Sequence, residues 1–165
     1  MDNQNRRQGS TMLDDEQQGL DERVVNIDRV TRVVKGGRRF RFRALVVVGD
    51  NEGSVGAAIA KGSDVATAVS KASGQAAKNI KKITLRDGTI PHEVQAKHSG
   101  AKVLLKPAGP GTGVIAGGAV REVLLAAGVS DILSKSLGSS NKINCTYATL
   151  KALDKIIDVD PGEVK

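Results

Sequence analysis

Val33-Val-Lys-Gly-Gly-Arg-Arg-Phe-Arg-Phe-Arg-Ala-Leu-Val-Val-Val-Gly-Asp50 decides how this chain folds. Two β-rich runs flank Gly36-Gly37, and paired glycines there predict a hairpin, because both turn positions can take positive φ without steric cost. On the returning strand, the two-residue period puts Phe40, Phe42, Ala44, Val46 and Val48 on one face. Both phenylalanines are therefore expected to face the core. Arg39, Arg41 and Arg43 take the other face. Guanidinium groups side by side repel one another, and a polyanion lying against them would explain the arrangement.

The rest of the composition agrees with that reading. The chain has 165 residues, enough for one medium domain or two small ones. Its aromatics are Phe40, Phe42 and Tyr147, so the core must be built from Val, Ile, Leu and Ala. The net charge of +7 is uneven: residues 1–30 hold 4 Lys/Arg against 7 Asp/Glu, and residues 31–165 hold 21 against 11. From Arg29 to Arg43 there are seven basic residues and no acid, a density that points to nucleic acid or an anionic membrane. Cys145 is the only cysteine, which excludes an internal disulfide and suits a reducing compartment. No apolar run approaches the roughly 20 residues that span a bilayer. The first residues are polar and acidic, unlike a secretory signal or transit peptide, so a soluble cytoplasmic protein is expected.

Taken in order, residues 1–21 lack periodicity and are expected to form a disordered acidic tail. A strand runs from Val24 to Lys35, with a phase shift near Asp28-Arg29 that suggests a bulge. Arg38–Val48 returns, Asp50-Asn-Glu-Gly53 turns, and Val55–Lys61 adds a third strand whose small residues let another backbone approach. Ser63-Asp64 signals a helix start. Val65, Val69, Ala72, Ala76 and Ile80 form its sheet-facing stripe. Lys78, Lys81 and Lys82 are placed in its last turn, where they complement the helix dipole and could also face phosphate. Gly74 inside this helix implies close packing against something.

A boundary is expected at Arg86–Thr89. This divides the chain into a first domain (22–85) of three antiparallel strands plus a helix, and a second α+β domain (90–157). The second begins with a hairpin of Val94–Lys97 and Lys102–Lys106 around His98-Ser-Gly100. A Gly-rich segment (109–118), a helix Ala119–Ala127 closed by Gly128, a short strand Val129–Leu137 and a last helix capped by Asn141 follow. Residues 158–165 read as a frayed tail.

The Gly-rich segment has some features of an enzyme motif. Gly111-Thr-Gly113-Val-Ile-Ala116 lies between a strand and a helix, like a dinucleotide fingerprint. Against this, the preceding strand belongs to a hairpin and no parallel series follows. Asp131, about 20 residues on, precedes a strand instead of ending one. His92 and His98 lack further ligands at metal-like spacing, and Cys145 reads as a buried thiol. Nothing reads as catalytic machinery, a cofactor site or a small-molecule site. The leading reading is a non-enzymatic RNA-binding component. The alternatives are a nucleotide-binding enzyme built on 109–118, or a basic protein-interaction module.

Lys35-Gly-Gly-Arg38, Val47-Val-Gly-Asp50, Gly56 with Lys61, His98-Ser-Gly100, Pro107-Ala and Gly111-Thr-Gly-Val-Ile-Ala-Gly-Gly-Ala119 resemble bacterial small-subunit ribosomal protein five. So do Ala127-Gly-Val129 and Gly138-Ser-x-Asn141. The likeness runs in order from about Glu22 to Ile157. It implies a first domain similar to a double-stranded-RNA-binding domain and a second made of a small sheet backed by two helices. It also implies binding to small-subunit rRNA, neighbours in ribosomal proteins four and eight, a nearby messenger RNA path and a role in decoding accuracy. The expected RNA contacts are Arg29, Arg32, Lys35, Gly36, Gly37, Arg38, Arg39, Arg41, Arg43, Lys78 and Lys82. Gly113 and Arg121 are expected at the interface with protein four. Where family members often carry an Arg and aromatics, this chain has Ser54, Ala57 and Ile59, so no RNA contact is carried over to strand three.

Overall fold

Alternating apolar residues build an antiparallel sheet from β1 (Asp21–Val34), β2 (Gly37–Gly49) and β3 (Ser54–Gly62). The computed structural model describes residues 19–157. The acidic stretch before these residues and the expected tail 158–165 lie outside them. Of the expected tail, Leu20 packs against the core and Asp21 opens β1.

A fourth strand, β4 (Lys81–Lys82), pairs with Ser54–Val55 and closes the order β1-β2-β3-β4. This corrects the three-stranded expectation. It also removes Lys81 and Lys82 from the helix α1 (Val65–Lys78), which ends at Lys78. Helical spacing alone does not reveal such a strand, because its partner lies far away in sequence.

The hairpin forms where expected, but its turn is displaced by one residue. Lys35-Gly36 is the two-residue loop, Val34 pairs with Gly37, and the positive φ (+134°) falls on Gly37 alone of the pair. The bulge in β1 lies between Val24 and Asn26, not near Asp28-Arg29. The extra residue there, Val25, packs against the larger core.

The two faces of this sheet have different fates. Ala44, Val46 and Val48 of β2, with Ala58 and Ala60 of β3, pack on Ala68, Ala72 and Ala76 of α1. Val69 and Ile80 join this core partly, while Val65 stays exposed, so the buried stripe is rotated from the expected one. Gly56 and Gly62 permit the close approach: a Cβ at Gly56 would lie 2.5 Å from the Ala76 oxygen, and one at Gly62 2.6 Å from the Ala68 nitrogen. At Gly74 a Cβ would meet nothing within 4 Å, so the close packing expected there is absent among the described residues.

The second half has its own sheet, in the order β5-β6-β8-β7. Its strands are β5 (Val94–His98), β6 (Ala101–Pro107), β7 (Val114–Ile115) and β8 (Ile132–Ser136). Two helices back it, α2 (Gly118–Ala126) and α3 (Lys142–Leu153). Gly128 closes α2 at φ +80°, and the Asn141 side chain caps α3 by accepting the Ile143 N–H at 3.0 Å. Cys145 is buried, as expected. The molecule is therefore α+β, with one helix on the first sheet and two on the second among the described residues.

The two halves share one core. Val47, Val55 and Ala57 of the first sheet and Ile83 cluster with Ile90, Val123, Leu124, Ile132, Ala148 and Leu153. The β2–β3 turn docks on the end of α2. The Asn51 N–H donates to the Ala126 carbonyl at 3.1 Å, and the Gly53 N–H to that of Ala127 at 3.0 Å. Asp50 shapes this turn by accepting the Glu52 and Ser54 N–H groups, each at 2.8 Å. Burial pushes the Asp50 carboxyl up, but hydrogen bonds from Ser54 and Glu52 outweigh it and hold the group below its ordinary value.

Candidate nucleic-acid interface

One face of the first sheet changes character along its length, and that change creates the site. At the base of β2 this face carries Leu45 and Val47, both buried, and the second half packs on Val47. Toward the hairpin tip the same face carries Arg43, Arg41 and Arg39. β3 reaches only as far as the pair Phe42–Gly62. Beyond it, β1 and β2 continue as a two-stranded ribbon for about 17 Å, taking a rise of about 3.4 Å per residue.

Strand register assembles the charges. Arg32 lies directly opposite Arg39, Val30 opposite Arg41, and Asp28 opposite Arg43, which also pairs with Lys61 across β3. Val30, Thr31, Arg32, Arg39, Arg41 and Lys61 line a groove of about 230 Å³. Among the described residues, none of its four cations has a carboxylate within 4 Å. Like charges directly opposite each other on a sheet are destabilising, so Arg32 and Arg39 call for an anion from outside. Lys61 was not among the expected contacts, because only the register of β3 brings it there.

Arg43 departs from the expectation. Its Nη2 lies 2.7 Å from Asp28 Oδ2, and the Asn26 amide also donates to that carboxylate at 2.7 Å. The Arg43 and Asn26 hydrogen bonds hold the Asp28 carboxyl below its ordinary value. Lys142 at the start of α3 donates to Asn26 Oδ1 at 2.8 Å. Arg43 thus belongs to a polar joint between the halves, and the row of bare arginines is shorter by one.

Arg29 and Arg38 lie on the other side of the ribbon, opposite Phe42 and Val33. The Arg29 guanidinium sits 3.8 Å from the centre of the Phe40 ring. Phe40 is 47 % exposed, so only Phe42 packs toward the core as expected. α1 is too short to cover the ribbon. Lys35, Gly36 and Gly37 form the exposed tip.

Lys78 ends α1 and borders a different cleft, between β4 and α3. Lys82 pairs with Ser54, and the pleat places it on the sheet face away from the arginines. These lysines are expected as RNA contacts alongside the hairpin, but the fold does not bring them together with it.

The Gly-rich segment folds as a braced loop. The Gly113 N–H donates to Asp131 Oδ1 at 2.7 Å, and the Ile132 N–H to the Gly113 carbonyl at 3.1 Å. β7, α2 and β8 form a small parallel crossover, which the sequence reading did not expect. Asp131 nonetheless occupies a backbone N–H that a phosphate would need, and its negative charge repels one. Arg121 is exposed on the first turn of α2, while Glu122 turns inward to Arg23 of β1 at 3.4 Å. Among the described residues no group of three or more His, Cys, Asp or Glu is placed to hold a metal ion, and no helix is long and apolar enough to cross a membrane.

Comparison with known proteins agrees with this architecture. Residues 20–84 match the model of the ribosomal protein S5 N-terminal domain, and residues 96–164 that of the C-terminal domain. The small ribosomal subunit protein uS5 of Salinibacter ruber is 53% identical over 137 residues, covering 83% of this chain and 78% of the relative. The proteins of the same name from Borreliella afzelii and Borreliella burgdorferi are each 52% identical over 139 residues, covering 84% of both chains. With both halves matched in order and similarity spanning most of its length, the chain belongs to the ribosomal protein S5 family.

Proposed function

We propose that this protein is a structural, non-enzymatic constituent of the small ribosomal subunit, in the cytoplasm, that binds small-subunit rRNA through its β1–β2 ribbon. The observation that carries the RNA contact is the groove of Arg32, Arg39, Arg41 and Lys61, whose cations find no counter-charge within the described chain. Structured RNA is read largely through shape and backbone. A narrow ribbon with a Lys35-Gly36 tip, cationic on its groove side and bearing Arg29 and Arg38 on the other, suits entry between phosphates. Arg43 takes part at most through its joint with Asp28, and Lys82 stands outside the groove.

The organisation into domains 22–85 and 90–157 fits the tight turn at Arg86–Thr89, where Arg86 and Thr89 exchange both backbone hydrogen bonds. Gly113 and Arg121 border the exposed Gly-rich loop, a surface suited to contact ribosomal protein four. Contact with protein eight, proximity to the messenger path and a role in decoding accuracy complete the reading. The test is filter binding of the full chain to small-subunit rRNA across a salt series. A steep loss of affinity with salt, relieved by replacing groove residues, supports the proposal. Binding that ignores those replacements overturns the site.

A further inference from the structure

A second concavity lies where the two halves meet, sharing no residue with the arginine groove. It is a cleft of about 460 Å³ between the end of α1, β4 and α3. Its floor is Val55, Ala57, Ile80 and Leu150, with Tyr147 as one wall. Val55 and Ala57 are core residues, but Ile80, Tyr147 and Leu150 are only half-buried, so the described residues leave apolar surface uncovered there. The rim is cationic. Among the described residues, Lys81 Nζ holds the only rim carboxylate, Asp154, at 2.8 Å, while Lys78 and Lys151 have no carboxylate within 4 Å. Behind the Lys81–Asp154 pair the apolar floor continues to Ile83 and Leu153.

We propose that this cleft docks an extended segment of a neighbouring protein that presents an apolar side chain flanked by acidic ones. The floor gains from burying apolar atoms, and the rim of Lys78 and Lys151 selects the sign of the flanking charge. An RNA backbone would use the rim but leave the floor unfilled. A stacking base needs an open aromatic face, and the Tyr147 ring is half-covered and lies 5.4 Å from that of His98.

The experiment takes its particle from the ribosomal reading. The full chain carrying Asn79→p-benzoylphenylalanine, at an exposed rim position, is incorporated into small subunits, irradiated, and its crosslinks sequenced. Incorporation itself reports on the ribosomal reading, so failure there is distinct from failure of the docking site. The expected product is a crosslink to another protein, at a segment with an apolar residue beside at least two carboxylates. Adding Lys78→Glu with Lys151→Glu should cut its yield at least tenfold, with unchanged incorporation and thermal midpoint. A crosslink to rRNA, to residues 1–18 of the same chain, or to nothing overturns the proposal. So does a yield indifferent to the two charge reversals.

Discussion

One carboxylate oxygen of Asp28 accepts both Nε and Nη2 of Arg43, at 3.2 and 2.7 Å. The pair stands where the covered half of the sheet face gives way to the open half, and it separates an internally matched arginine from ones that no described carboxylate matches.

The pair makes stability depend on acid. Hydrogen bonding from Arg43, then from Asn26, lowers the folded-state pKa of Asp28. Its contribution is therefore present above the unfolded value of about 3.9 and is lost as pH falls through the lower folded value. The Asp28 side chain is 37% exposed, and solvent screening limits the effect to about 0.5 kcal/mol. Urea unfolding of Asp28→Asn should show a shallower pH dependence on the acid side than the parent chain. Identical profiles would show that the ion pair contributes nothing.

The groove arginines should behave differently from Arg43. Arg32→Ala, Arg39→Ala and Arg41→Ala should each reduce the slope of log affinity against log salt for rRNA by about 1, with little change in unfolding midpoint. Arg43→Ala should leave the slope closer to that of the parent and lower stability instead. An Arg43 variant with the same slope loss as the other three would place it in the RNA contact after all.

Two glycines should respond in opposite directions to alanine. Gly128 has φ +80°, and a Cβ there would lie 2.0 Å from the Asn51 carbonyl oxygen, so Gly128→Ala should cost about 3 kcal/mol. Gly74 is inside α1 with open space above it, so Gly74→Ala should stabilise by about 0.5–1 kcal/mol. Denaturant unfolding measures both. If Gly74→Ala stabilises the free chain but weakens assembly, the open space over α1 is filled by a neighbour in the particle.

Among the described residues the ribbon beyond Phe42–Gly62 has two strands and no helix over it, and isolated hairpins are marginal in water. Amide exchange in the free chain should be fast across residues 31–40 and slow across 44–48, which are buried between α1 and the second half. Adding rRNA should protect 31–40. A tip already protected without RNA would show that the ribbon is held by the chain itself.

Much of this was legible in one dimension. The period-two runs of β2, β5 and β6, the Asn141 cap, the Gly128 helix stop and the cationic ribbon rest on neighbours a few residues apart, so backbone geometry and side-chain type suffice to read them. Lys81–Lys82 as a strand, Lys61 in the groove and Asp28 on Arg43 depend on strand register, which is a long-range pairing. Phe40 was misplaced for a related reason. Alternation assigns a residue to a face, but only the length of α1 and the docking of the second half determine how far along each face burial extends. The local pattern determined which side chains alternate and where the chain turns. Tertiary packing decided which half of that cationic face was sealed and which was left open to an anion.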